Sequence, residues 1–189
     1  MRISLFKKFN YIVLTLTLTT FSVVNAQDVR VIDNKGTIRE LFVPSVSERF
    51  PNANQTVTEA TTFTTINFQS QDFAPDVNDY TNVANGITVL NDGRYRITFR
   101  ITSEVVNNSR VGGEFRMTKN GIAVNNTSSY TYQRNNLVDK NTVTVVKILD
   151  LTANDVIGVE GRVYNSSRNT ADSLTILAEG SMLTVEKVN

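Results

Sequence analysis

The chain reads as an all-β protein built as an antiparallel two-sheet sandwich, on three observations. The first is the run Gly93-Arg94-Tyr95-Arg96-Ile97-Thr98-Phe99-Arg100-Ile101-Thr102, where Tyr95, Ile97, Phe99 and Ile101 alternate with Arg96, Thr98 and Arg100. Successive side chains of a strand point to opposite faces, so the alternation predicts a half-buried strand with an apolar inner side. The second is that short alternating or β-branched segments recur between Asn, Gly, Ser and Asp turns. The third is the lack of any comparable amphipathic helix, which argues against βαβ units.

The first 26 residues read as an export signal outside the fold. Arg2, Lys7 and Lys8 give a positive start, Tyr11 to Val24 is apolar apart from threonines and Ser22, and Val24-Asn25-Ala26 supplies the cleavage positions. A membrane anchor is the alternative. The run is shorter than the roughly 20 residues a spanning helix needs, so cleavage after Ala26 is preferred and the mature chain is not expected to insert in a membrane. The reading predicts a secreted or cell-surface protein.

Residues 27–60 are expected to form an N-terminal hairpin and a linker or stalk. Asp28 to Ile32 and Ile38 to Val43 flank the turn formers Asp33-Asn34-Lys35-Gly36-Thr37, a hairpin pattern. Pro44 and Pro51 frame Ser45 to Thr58, which has little periodicity. The main domain is placed at 61–189. Its first strand runs from Thr62 to Gln69, with Phe63, Ile66 and Phe68 as bulky members, and a polar loop from Ser70 to Asn82 follows. Gly86 to Leu90 and Arg94 to Ser103 bracket the turn at Asn91-Asp92-Gly93, whose residue types tolerate positive φ. Phe115 to Thr118 leads through Lys119-Asn120-Gly121 into Ile122 to Val124. Tyr130 and Tyr132 sit in a short alternating segment, and Thr142 to Leu149, Val156 to Val163, Leu174 to Leu177 and Met182 to Val188 complete the strands. Runs such as Val143 to Val146 are apolar on both faces, so their outer side is covered either by neighbouring subunits or by the protein's own loops.

Losing the leader moves the formal charge from +1 to −2, because its three basic residues have no acidic counterpart. A near-neutral chain with interspersed signs lacks the basic footprint of a nucleic-acid binder, and no polybasic patch marks it for membranes. With no cysteine, an exported chain has neither a disulfide framework nor a cysteine lipid anchor, which fits a bacterial origin.

The order of motifs then resembles the complement C-one-q globular head of the tumour necrosis factor-like jelly-roll superfamily. The resemblance lies in Gly93-x-Tyr95-x-Ile97-x-Phe99, Lys119-Asn120-Gly121, Leu151-Thr152-Ala153-Asn154-Asp155-Val156 and Leu174-x-Ile176-x-Ala178. Asn154 stands where that family usually has glycine, and Asn tolerates a left-handed backbone. The family's collagen-like stalk and closing aromatic signature are absent. The resemblance implies a jelly roll of about ten strands that assembles as a homotrimer and binds protein or glycan partners through loops and outer faces. A phage or appendage spike subunit would share that trimer.

No catalytic constellation is legible. The absence of His and Cys removes Ser-His-Asp and Cys-His catalysis and nearly all zinc sites. Glu104 with Glu114, or Asp150 with Asp155, are formal carboxylate pairs that no spacing singles out, so the chain is not expected to be an enzyme or to need a cofactor. Asp72, Asp76 and Asp79 form a loop cluster with the oxygens a calcium ion takes, although a solvated, turn-rich loop is the simpler reading. Tyr130, Tyr132 and Arg134 read as a recognition segment suited to sugar or protein surfaces, and the sugar reading makes a monomeric carbohydrate-binding β-sandwich module the alternative to the trimeric head. Arg96 and Arg100, outward on the best strand, are interface candidates if the chain assembles.

Overall fold

The computed structural model describes residues 29–32, 35–36, 38–41, 44–58, 61–71, 75–105, 110–134, 139–164 and 173–188. The expected export signal lies outside the described residues. The chain divides into two units, Met1–Val43 and Pro44–Asn189. In the first, β1 (Val29–Ile32) and β2 (Ile38–Leu41) pair antiparallel, with Gly36 at φ 76° in the turn.

The second unit holds thirteen strands in two antiparallel sheets among its described residues. They are β3 (Val46–Arg49), β4 (Gln55–Val57), β5 (Thr64–Thr65), β6 (Tyr80–Val83), β7 (Gly86–Val89), β8 (Gly93–Val105), β9 (Val111–Lys119), β10 (Ile122–Ala123), β11 (Ser129–Gln133), β12 (Lys140–Leu151), β13 (Val156–Tyr164), β14 (Leu174–Ile176) and β15 (Met182–Lys187). One sheet runs β10-β9-β13-β7-β6, with β11 beside β9 and β5 beside β13; the other runs β3-β15-β8-β14-β4, with β12 beside β8. The chain passes from one sheet to the other six times, at β4 to β5, β7 to β8, β8 to β9, β11 to β12, β12 to β13 and β13 to β14, which makes the sandwich a jelly roll.

β8 organises its sheet. β12 pairs along its whole length, from Lys140↔Glu104 to Leu151↔Gly93, while β15 and β14 share its other edge. Tyr95, Ile97, Phe99 and Ile101 are fully buried, and Arg96 and Arg100 are exposed, as the alternation requires. Facing them from the other sheet are Ile87, Val89, Phe115, Met117, Ile157 and Val159, with Ile66, Phe68 and Tyr80 closing the core. The two buried tyrosines each place their hydroxyl. Tyr95 donates to the Asn91 carbonyl at 2.7 Å, and Tyr80 donates to the Ser45 carbonyl at 2.8 Å while accepting from the Lys187 amide at 2.9 Å. Burial pushes the Tyr80 phenol up to about 12.

The turn at Leu151–Val156 bears out its reading: Asn154 has φ 73°, the left-handed conformation a glycine would adopt. Asp155, 6% exposed, locks it. Its carboxylate accepts from the Thr152 amide at 2.9 Å, the Thr152 hydroxyl at 3.1 Å, the Asn120 side chain at 2.7 Å and the Lys119 ammonium at 3.1 Å. Burial alone would raise this carboxyl; the hydrogen bonds from Thr152, Asn120 and Lys119 outweigh it and hold the group at about 2.

Two expectations are corrected. The jelly roll begins at Pro44 rather than at residue 61, because β3 and β4 occupy the stretch read as a linker. β3 carries Ser47 and Arg49 inward and Val46 outward, the reverse of an apolar-in pattern; backbone pairing to β15 builds it instead. β4 buries only Val57 and is anchored by Gln55, which exchanges two hydrogen bonds with the Asn67 backbone at 2.7 and 2.9 Å. Within the segment read as a polar loop, Tyr80–Val83 is a strand paired with β7. Among the described residues no helix is long and apolar enough to cross a membrane.

Candidate functional site

The outer face of the seven-stranded sheet carries the most distinctive surface chemistry. Register places Tyr130, Glu114 and Arg162 in one row across β11, β9 and β13, and Tyr132, Gly112 and Tyr164 in the next. Tyr130, Tyr132 and Tyr164 are 55%, 54% and 50% exposed. A buried aromatic removes roughly 150–250 Å² from water, so each ring leaves about 100 Å² uncovered. Tyr130 and Tyr164 sit two strands apart, yet their ring centroids are 5.2 Å apart at an interplanar angle of 64°. They meet over β9 because Gly112 puts no side chain between them. A Cβ there would lie 2.5 Å from the Tyr164 carbonyl oxygen and 3.1 Å from that of Thr131, so the close approach of three strands requires glycine.

Beneath the rings the charges are paired. Glu114, 5% exposed, accepts from Arg162 Nε at 2.8 Å, Ser128 at 3.0 Å and the Tyr130 hydroxyl at 3.2 Å. Burial would raise its carboxyl, but Arg162, Ser128 and Tyr130 together hold it below the usual range, so it stays ionised. Partial burial and the neighbouring Glu114 charge raise the Tyr130 phenol. Arg116 pairs with Glu160, and the Arg116 and Arg162 guanidinium carbons lie 3.5 and 4.6 Å from the centroid of the Phe63 ring. A carboxylate held ionised by three neighbouring donor groups is suited to positioning, not to giving up a proton.

Of the predicted recognition residues, Tyr130 and Tyr132 fall on this face. Arg134 follows β11, exposed, with its backbone amide bonded to Asp139 at 3.2 Å. Tyr164, Glu114 and Arg162 complete the surface. Sequence reasoning missed this grouping because the three lie 16 to 34 residues from Tyr130 on other strands, and only the β9 register brings them together.

The outer face of the six-stranded sheet presents the arginine stripe. Arg96 bonds Glu186, Arg94 bonds Asp150 at 2.9 Å, and Arg100 donates to the Gly180 carbonyl at 2.9 Å. Beside them Val146 and Ile148 stand outward on β12, each 56% exposed, opposite Thr98 and Arg96. The protein's own described loops therefore leave this apolar pair in solvent. Next to β12, a groove of about 300 Å³ opens between Leu149 and the 119–124 hairpin, where Ile122 is 74% exposed.

The acidic loop is used differently. Asp72 lies outside the described residues. Asp76 accepts from the Asn78 amide at 2.9 Å, and Asp79 is engaged by Asn91 at 2.9 Å and Lys187 at 3.2 Å. Among the described residues no group of three His, Cys, Asp or Glu side chains converges as a metal site. Neither formal carboxylate pair converges. Glu104 and Glu114 belong to different sheets, and Asp150 is exposed against Arg94 while Asp155 is sealed in its turn.

No protein family and no curated protein matches the chain in sequence. Solved structures do match in fold. Murine APRIL aligns with 77% of this chain and 100% of its own at 14% identity and a TM-score of 0.51. Eiger TNF from S. frugiperda aligns over 78% and 93% at 14% identity and 0.46, and the globular domain of zebrafish complement 1qA over 77% and 96% at 13% identity and 0.45. At 14% identity the match to APRIL shows the fold alone: the chain has a tumour necrosis factor-like jelly-roll fold, as its motif order implied.

Proposed function

We propose that this chain is an exported, non-enzymatic jelly-roll head that assembles as a homotrimer and recognises a ligand at a cell surface. The observation that carries assembly is the outward pair Val146 and Ile148, each 56% exposed on a sheet face where side chains normally meet water. Fully burying a Val or Ile side chain is worth roughly 1.5–3 kcal/mol, so covering the exposed half of both returns about 2 kcal/mol per subunit. The flanking ion pairs give such an interface a polar border. The implied trimer of the jelly-roll resemblance and the leader-like N-terminus favour the same reading. The chain also lacks His and Cys, and the two buried carboxylates Glu114 and Asp155 are each held ionised by their hydrogen-bond donors.

Light scattering on the chain beginning at Gln27, at micromolar concentration, tests it. The expected result is a trimer mass that Val146→Asp with Ile148→Asp reduces to a monomer. A clean wild-type monomer overturns the assembly reading.

A further inference from the structure

We infer that the tyrosine face of β11 and β13 is a carbohydrate-binding surface for a neutral, hydroxyl-rich glycan chain. This rests on reading the domain as a recognition head, but not on its assembly state.

The fold does not need these rings where they are. Tyr130, Tyr132 and Tyr164 stand half in water, and the buried core is complete without them. Three neighbouring exposed aromatics form a patch of the kind that marks a binding surface. Their geometry selects the ligand. Tyr130 and Tyr164 meet at 64°, so one ring makes a floor and the other a wall. A pyranose has a face of polarised C–H groups and a rim of hydroxyls. The negative face of an aromatic ring complements the first, and phenol hydroxyls complement the second. Among the described residues the Tyr132 and Tyr164 hydroxyls have no partner within the fold, and Arg134 is exposed just past Tyr132.

Charge separates this ligand from the alternatives. Arg162 and Arg116 are neutralised by Glu114 and Glu160, and both guanidinium groups also lie on Phe63. An acidic polymer needs unpaired cations in a row. A protein partner is anchored by side chains sunk in a desolvated pocket, whereas these rings stand up from a sheet. A neutral polyol needs only ring faces and hydrogen-bonding groups. Strands on both sides hold the rings in place before any ligand arrives, which lowers the entropy cost of binding.

Affinity electrophoresis in gels containing mannan, xylan, mixed-linkage β-glucan or, as an acidic comparison, polygalacturonate tests the inference, together with a glycan array. The expected result is retardation by at least one neutral polysaccharide. Tyr132→Ala and Tyr164→Ala should each weaken it at least tenfold without moving the thermal midpoint by more than a few degrees, and Tyr132→Phe should retain most of it. Silence on every neutral glycan overturns the inference, as does binding confined to the acidic polymer or binding that survives both alanine variants. Light scattering of the same samples keeps the two readings apart. A trimer that binds no glycan sinks this inference alone, and a monomer that binds glycan through the tyrosines sinks only the assembly.

Discussion

Asp155→Asn is the sharpest probe of how this jelly roll is held closed. The carboxylate is 6% exposed and accepts four hydrogen bonds: from the Asn120 amide at 2.7 Å, the Thr152 backbone at 2.9 Å, and the Thr152 hydroxyl and Lys119 ammonium at 3.1 Å each. These tie the 151–156 turn to the tip of the β9–β10 hairpin, two loops far apart in sequence. Asparagine preserves the shape but turns one oxygen into an NH₂ group. Oriented to keep the Thr152 and Lys119 contacts, that NH₂ faces the Asn120 NH₂, donor against donor. The variant loses the ion pair and at least one charge-assisted bond, each worth about 1.5–3 kcal/mol, for a cost of about 3 kcal/mol at neutral pH. For a chain of this size that lowers the thermal midpoint by roughly 6–12 °C. The pH dependence carries the sign. The folded carboxyl sits at about 2 against an ordinary 3.8, so its stabilisation is fully present above pH 4 and is lost as pH falls towards 2. Denaturant unfolding of both proteins from pH 7 to pH 2 should show a gap that is constant down to pH 4 and then narrows. A gap below about 0.5 kcal/mol at pH 7, or one that does not narrow in acid, would refute the assignment.

Phe99→Ala removes a fully buried ring between β12 and β15 and should cost roughly 3–5 kcal/mol in urea unfolding; a loss under 1 kcal/mol contradicts its central place. Tyr80→Phe removes the phenol that bridges the Ser45 carbonyl and the Lys187 amide, which keep their direct bond to each other at 2.9 Å. It should cost about 0.5–1.5 kcal/mol in urea unfolding, and a loss above about 3 kcal/mol would contradict that surviving bond. Arg96→Ala breaks a partly exposed pair with Glu186 and should change the stability of the isolated fold by less than about 1 kcal/mol. If light scattering shows that it dissociates the assembly, the arginine stripe belongs to the interface.

The strands that alternate cleanly were legible because one wet face and one dry face leave a period of two in the residues themselves. β8 is the plain case: Tyr95 to Ile101 in, Arg96 and Arg100 out. The left-handed turn at Asn154 was legible for a similar reason, since few residue types accept that backbone. β3 was not. Its inward Ser47 and Arg49 carry no apolar signal, and its place depends on pairing with β15, more than 130 residues away, as the bond from Thr184 to Glu48 shows.

The candidate site divides along the same line. Residue type alone drew attention to Tyr130 and Tyr132, and the absence of His and Cys alone excluded most chemistry. Whether those tyrosines were core or surface, and which residues joined them, was decided by tertiary structure. Strand register is set by the summed burial of whole sheets, so the sequence near Tyr130 holds no information about Tyr164. Only when β9 seats between β11 and β13, with Gly112 clearing the space, do the rings meet. The sequence by itself determined which segments extend and which side of each is dry; long-range pairing decided what those faces bring together.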